Sequence, residues 1–178
     1  MSKNLRDIAV STLALAIIGG GVTAALAGTN ALTADRIAAI NEQTATTARQ
    51  TVIDADSFEE ASLTADGREV RYHRALKNGA LVGYVFTATT TGKSSGLVIM
   101  TGIASDGTVT GVEVTEENET AGYIDKVRKA GLLDAFAGKP SVDGVDTVSQ
   151  ATKTSKGVLH GVELALSYYE LIGEEGTA

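Results

Sequence analysis

Between Asp7 and Asp35 the chain carries no charged residue. Ile8 to Ala34 is 27 residues, roughly 40 Å as an α-helix against a hydrocarbon core of about 30 Å, so it can cross a bilayer with some tilt. Lys3 and Arg6 precede it, opposed only by Asp7. The positive-inside rule then puts the N-terminus in the cytoplasm and everything after about residue 34 outside. The rival is a signal peptide, because Ala25-Leu26-Ala27 is a passable A-x-A cleavage site. The apolar stretch ahead of that site is long for a signal, so the expectation is an uncleaved single-pass anchor. Gly19, Gly20, Gly21, Ala24, Ala25 and Gly28 punctuate the span. Spacings such as Gly20/Ala24 let helices approach closely in a membrane, which suits an anchor that lies against other helices.

The composition of the remainder narrows the function classes. With no cysteine, disulfides, iron–sulfur clusters and thiolate zinc sites are excluded. His73 and His160 are the only histidines, too few for a convincing metal site, and none is expected. Glu116-Glu117-Asn118-Glu119 lacks the carbonyl-rich loop spacing of a calcium site. Removing Lys3, Arg6 and Asp7 from the chain's 15 basic and 22 acidic residues leaves the part beyond residue 34 at net −8. That charge argues against nucleic acid and against anionic lipid headgroups as partners.

The hydropathy pattern divides the chain into a start and membrane segment (1–34), a stalk helix (35–56) and an exported α+β domain (57–178). The stalk, with Ile37, Ile40 and a run of Ala, Gln and Thr, is only weakly amphipathic. Val70–Leu76 and Ala80–Ala88 flank Asn78-Gly79, a type I′ hairpin signal; Val82, Tyr84, Phe86 and Ala88 alternate onto one face. Leu97–Ala104 and Thr108–Thr115 flank Asp106-Gly107 as a second hairpin. Residues 89–96 between them read as a polar, flexible connection. Tyr123–Phe136 has helical spacing, Ser141–Val148 could add a short strand, and Ser155–Ile172 reads as the final helix with Val158, Val162, Ala165 and Tyr169 on one stripe. The expected fold is α+β, antiparallel strands with helices packed on them.

Two polar segments stand out against that scaffold. Ser149-Gln150-Ala151-Thr152-Lys153-Thr154 resembles the Ser-Gly-Ala-Thr-x-Thr attachment box of the extracytoplasmic FMN-binding domains, found in the G subunit of Rnf electron-transport complexes and the C subunit of the sodium-pumping NADH:quinone oxidoreductase. Gln150 stands where the family has Gly. Glu119-Thr120-Ala121-Gly122-Tyr123 resembles the family's Glu-Thr-Pro-Gly-Leu-Gly box; Glu119, Thr120 and Gly122 match, Ala121 replaces the Pro and Ile124 the last Gly. Leu133-Asp-Ala-Phe136-Ala-Gly138 resembles its Phe-x-Gly segment. The resemblance covers essentially the whole chain, and the single anchor and modest length fit the Rnf subunit better.

The resemblance implies FMN, one per chain, held through a phosphoester on Thr154 that a flavin transferase installs during maturation. It also implies flavin-site roles for Ser149, Ala151, Thr152, Ser155, Glu119, Thr120, Gly122 and Tyr123. An acceptor hydroxyl is expected on an exposed segment just before the final helix, where free N–H groups and the helix dipole favour a phosphate and Lys153 and Lys156 add positive charge. Tyr123, Ile124 and Val148 could wall an apolar slot for the ring or belong to the core. The implied function is an electron relay among the membrane and peripheral subunits of an Rnf-type ferredoxin:NAD+ oxidoreductase, with no catalytic residue of its own. No G-x-G-x-x-G nicotinamide fingerprint is present. The alternatives are a stand-alone anchored flavoprotein for extracytoplasmic electron transfer and the equivalent subunit of the quinone reductase.

Overall fold

The computed structural model describes residues 12, 13, 15–23, 26, 29, 43–116 and 122–175. Two compact units divide the chain, Met1–Ala45 and Thr46–Ala178. In the first, the described positions between 12 and 29 are helical, and Leu13, Leu15, Ile17, Ile18, Val22 and Leu26 are 56–71% exposed. Among the described residues no helix is long and apolar enough to cross a membrane; most of Ile8–Ala34 lies outside them.

The second unit is built on a five-stranded antiparallel meander in the order β1 (Ser57–Ala65), β2 (Arg68–Lys77), β3 (Ala80–Thr91), β4 (Ser95–Ala104) and β5 (Val109–Glu116). The Asn78-Gly79 turn joins β2 to β3 with both residues at positive φ (51° and 79°), the backbone that a type I′ turn demands and Asn-Gly supplies at least strain. Asp66-Gly67 makes the same left-handed pair between β1 and β2. Sequence patterning does not predict that first strand, because Ser57–Ala65 carries three polar or acidic residues among its first four and lacks a clean two-residue alternation. Residues 89–96 are a second departure. The strands run through Thr91 and restart at Ser95, so only a tight Gly92–Ser94 turn remains, closed by Gly92 N–H donating to the Ser94 carbonyl (3.0 Å).

Both faces of the sheet are covered. The long helix α3 (Thr152–Glu175) lies on one face, where Leu97, Ile99 and Ile103 of β4 and Phe86 of β3 meet Val158, Val162 and Ala165. On the other face the end of a helical segment, α1, which runs to residue 52, brings Val52, Ile53 and Ala55 against Ala75, Val85 and Met100. The unit beginning at Thr46 thus takes in the last turns of the segment expected as a stalk. This double cover explains why successive residues Val85 and Phe86 are both 1% exposed, since they point to opposite faces.

Close approach fixes α3 on the sheet. A Cβ at Gly161 would stand 2.7 Å from Ile99 Cβ, and one at Gly157 would stand 2.9 Å from the Thr91 carbonyl oxygen. Thr90 O–H donates to the Gly157 carbonyl (2.9 Å), and Tyr169 O–H donates to the Ser105 carbonyl near the far end (2.8 Å). The start of α3 is therefore held beside the β3–β4 turn.

The helix expected over Tyr123–Phe136 is broken. It is α2 (Tyr123–Lys129), a turn with Gly131 at φ 71°, and a 3₁₀ turn at Asp134–Phe136. The left-handed Gly131 ends α2 and lets Leu132, Leu133 and Phe136 still reach the core. Ser141–Val148 forms bends and turns, not a strand. The residues that pair with the β5 edge are Gly138 and Lys139, through Val109 (2.8 and 2.9 Å).

Candidate functional site

The attachment box is a turn followed by the first helical turn of α3. Gln150 has φ 64°, a left-handed conformation that costs a non-Gly residue about 1 kcal/mol or more. That geometry accounts for a Gly in the family box and shows that Gln150 keeps the turn. Its side-chain oxygen accepts from Lys126 Nζ of α2 (3.2 Å). The chain then closes on itself: Ala151 N–H donates to the Val148 carbonyl (3.0 Å), Val148 N–H to Ser155 Oγ (3.1 Å), and Ser155 O–H to the Ala151 carbonyl (3.0 Å).

The helix starts at Thr152, three residues earlier than expected, so Thr154 lies within its first turn rather than ahead of it. The expectation of an exposed acceptor fails here. Ala151, Thr154, Ser155, Val158 and Val162 follow helical spacing along the stripe that faces the sheet, and Thr154 and Ser155 are 0% exposed. Ser149, Thr152, Lys153 and Lys156 are exposed, and no acidic residue occupies the first turn of α3.

Thr154 Oγ1 is buried and has no hydrogen-bond partner. Leaving a buried hydroxyl unsatisfied costs about 1–3 kcal/mol. A phosphoester would consume the hydroxyl's proton and remove the unmet donor, and the basic, acid-free helix start suits a phosphate; because Thr154 is 0% exposed, the first turn of α3 has to shift to admit one. Thr101 Oγ1, in the α3-facing row of β4 with Ile99 and Ile103, is also buried without a partner. Only Thr154 combines that state with the box.

The described end of the second box, Gly122 and Tyr123, meets the β3–β4 turn through Lys93. Glu119, Thr120 and Ala121 lie outside the described residues. Gly122 is left-handed (φ 83°) and caps α2; Tyr123 follows, half-buried against the main core. Ile124 is a core residue at 2% exposure, and Val148 packs on that core. The Tyr123 hydroxyl accepts from Lys93 Nζ (2.9 Å). The ammonium of Lys93 stands 4.1 Å from the ring centroid, and that of Lys126 stands 5.4 Å from it. The Lys93 hydrogen bond, then its charge, hold the Tyr123 phenol below its ordinary pKa, with Lys126 adding to the pull.

Sequence reasoning misses Lys93 and Lys126. Lys93 sits in a run that reads as a flexible connection, and Lys126 lies on the face of α2 away from its apolar stripe. Their only signal is position: one between Gly92 and Gly96, the other three residues after Tyr123.

Comparison with known proteins identifies the family. Residues 92–167 match the FMN-binding domain family. A protein of Acetobacterium woodii, named as the G subunit of a Na(+)-translocating ferredoxin:NAD(+) oxidoreductase complex, is 31% identical, over 89% of this chain and 89% of its own. An Aliivibrio fischeri protein, named as the G subunit of an ion-translocating oxidoreductase complex, is 29% identical over 93% of this chain and 91% of its own. One from Clostridium ljungdahlii, named as the G subunit of a proton-translocating ferredoxin:NAD(+) oxidoreductase complex, is 27% identical over 67% and 68%. The chain belongs to the family of FMN-binding-domain proteins that form the G subunit of Rnf-type oxidoreductase complexes.

Proposed function

We propose that this chain is a membrane-anchored electron-relay subunit of an ion-translocating ferredoxin:NAD+ oxidoreductase, carrying one FMN esterified to Thr154. The observation that carries the reading is the Thr154 hydroxyl, which is buried, unpartnered and inside the attachment box of a domain that matches the FMN-binding family. The FMN supplies the redox chemistry. The chain's own residues hold and orient it. Ser155 and Ala151 lock the turn that presents Thr154, the start of α3 with Lys153 and Lys156 favours the phosphate, and Gly122 and Tyr123 contribute the described end of the second box. Ser149 and Thr152, exposed at the turn, would contact the phosphate or cap the helix. Glu119 and Thr120 complete the site by resemblance.

A permanently bound flavin cannot shuttle, so its electrons arrive from and leave to fixed neighbours. The relatives' names supply the setting, a complex in which other subunits are the partners. They favour this reading over a stand-alone flavoprotein and over the quinone-reductase subunit. We further infer that a flavin transferase installs the ester and that Ile8–Ala34 anchors the chain with its N-terminus in the cytoplasm. Six large apolar side chains exposed on helical positions 13–26 support the anchor.

The test is intact-mass analysis and peptide mapping of the purified chain. Flavin fluorescence should survive denaturation, with the added mass on Thr154. Thr154→Ala should abolish it and Thr154→Ser should retain part. In the assembled complex, Thr154→Ala should leave assembly intact while ferredoxin-driven NAD+ reduction and ion transport collapse together. A Thr154→Ala chain that still held flavin through denaturation would overturn the assignment, and normal coupled activity in the flavin-free mutant complex would overturn the relay role.

A further inference from the structure

Resting on the flavin reading above, we propose that the attachment turn has two positions and that flavin is joined to Thr154 only in the open one. In the closed position seen here, the start of α3 lies against the sheet with Thr154 and Ser155 both at 0% exposure. In the open position residues 149–155 swing out and Thr154 reaches solvent. The ester, too large to be enclosed, then keeps the segment out. Loading is gated by a local opening and leaves a lasting change at the start of α3.

The bounds of the moving segment are set by what is fastened on either side. Downstream, the Gly157 carbonyl accepts from Thr90 O–H (2.9 Å), and a Cβ at Gly157 would stand 2.9 Å from the Thr91 carbonyl oxygen. Upstream, Val148 packs on the main core. Between them the closed turn rests on few bonds. Ser155 is the keystone, its Oγ accepting from Val148 N–H (3.1 Å) and donating to the Ala151 carbonyl (3.0 Å). Ala151 N–H donates to the Val148 carbonyl (3.0 Å), and Ser155 N–H donates to the Ala151 carbonyl (2.9 Å). Two costs of the closed turn are relieved by opening. Thr154 Oγ1 is buried without a partner and meets water once exposed. Gln150, at φ 64°, leaves a left-handed conformation that disfavours a side chain. A segment held by a few bonds and opposed by its own geometry opens locally, well below the cost of global unfolding.

The group transfer requires that access. Thr154 Oγ1 attacks the flavin-side phosphorus of a flavin dinucleotide, in line with the anhydride oxygen that leaves. The Oγ1–P bond forms and the anhydride P–O bond breaks. The second nucleotide departs as its monophosphate with the electron pair, and the hydroxyl proton passes to solvent. No such approach reaches an oxygen buried against the sheet.

The experiment uses the full-length, flavin-free chain in detergent, with limiting flavin transferase and excess flavin adenine dinucleotide, and follows loading by intact mass. At limiting transferase the rate scales with the open fraction. Ser155→Ala removes both keystone bonds, and Gln150→Val places a β-branch at positive φ. Each should load about tenfold faster than wild type. A rate at or below wild type in either folded variant overturns the proposal. Amide hydrogen exchange, read by mass spectrometry, is a second arm that needs no variant. When the wild-type chain is loaded, the Ala151 and Ser155 amides should exchange at least about tenfold faster, while those of Val158 and Val162 keep their rates. Equal protection of Ala151 and Ser155 in the loaded and flavin-free chains also overturns it. A wild-type chain that takes up no denaturation-resistant flavin, or takes it up elsewhere than on Thr154, is a separate outcome. It sinks the covalent reading itself, and the gated turn with it.

Discussion

At the scale of single residues the site is defined by small departures from ideal geometry. Gln150 holds a left-handed turn (φ 64°) that glycine would adopt without strain. Gln150→Gly removes about 1 kcal/mol of strain, but it frees the unfolded chain and loses the exposed Lys126 hydrogen bond. Its urea stability should therefore stay within about 1 kcal/mol of wild type. Gln150→Val, β-branched at positive φ, should lose about 2 kcal/mol, and equal stability of the two variants would refute the strain account. Tyr123 offers a second residue-scale test. Of the chain's five tyrosines, one should ionise early in an ultraviolet titration, and Lys93→Met should move it back toward the ordinary range, with Lys126 still pulling it down. The sign follows from the lowered pKa. Stabilisation from this ionisation is complete above the unfolded value of 10.0 and vanishes as pH falls through Tyr123's own lower value. Lys93→Met should thus weaken the fold more at alkaline pH than at neutral pH.

Among the elements, α3 does most of the positioning. Its glycines bring the helix onto β3 and β4 closely enough that Thr90 reaches the Gly157 carbonyl (2.9 Å), and this places the start of α3 beside the β3–β4 turn. Gly161→Val would drive a Cβ to within 2.7 Å of Ile99 Cβ, a branched side-chain atom that cannot swing aside. Overpacking of this kind costs about 1–3 kcal/mol, measurable as a lower urea midpoint. Gly161→Ala combined with Ile99→Gly should lose less than the two single losses added, because the second change removes the Cβ and branches that the new Cβ meets. Additive losses would show that Ile99 does not set the approach.

For the whole molecule, the anchor and the flavin domain make one topological claim. Lys3 and Arg6 ahead of an uncharged segment are the pattern from which the positive-inside rule predicts a domain outside the cytoplasm. Protease added to intact spheroplasts should remove the region beyond Asp35, and full protection of that region would reverse the orientation. The end of α1 gives the domain a covered second face. Val52 is 2% exposed and its carbonyl accepts from Thr110 O–H of β5 (2.5 Å). A truncation beginning after Ala55 should expose Val85, Ala75 and Met100, and should aggregate or bind a hydrophobic dye where a chain beginning near residue 43 stays monomeric.

Local patterns sufficed for part of this protein. The Asn78-Gly79 and Asp106-Gly107 turns, the alternation along β3 and the Val158–Val162–Ala165 stripe are signals carried within a few residues, so the α+β scaffold was legible in the chain itself, while Thr154 is a candidate through the family resemblance of its box. What stayed hidden depended on neighbours distant in sequence. β1 is a strand because β2 offers it an edge, and Val85 is buried because α1 returns across the sheet. Thr154 is enclosed because its helix turns that residue toward β3 and β4. Lys93 and Lys126 act at one point only because three segments between residues 93 and 150 fold to the same end of the sheet, an encounter that no local periodicity encodes.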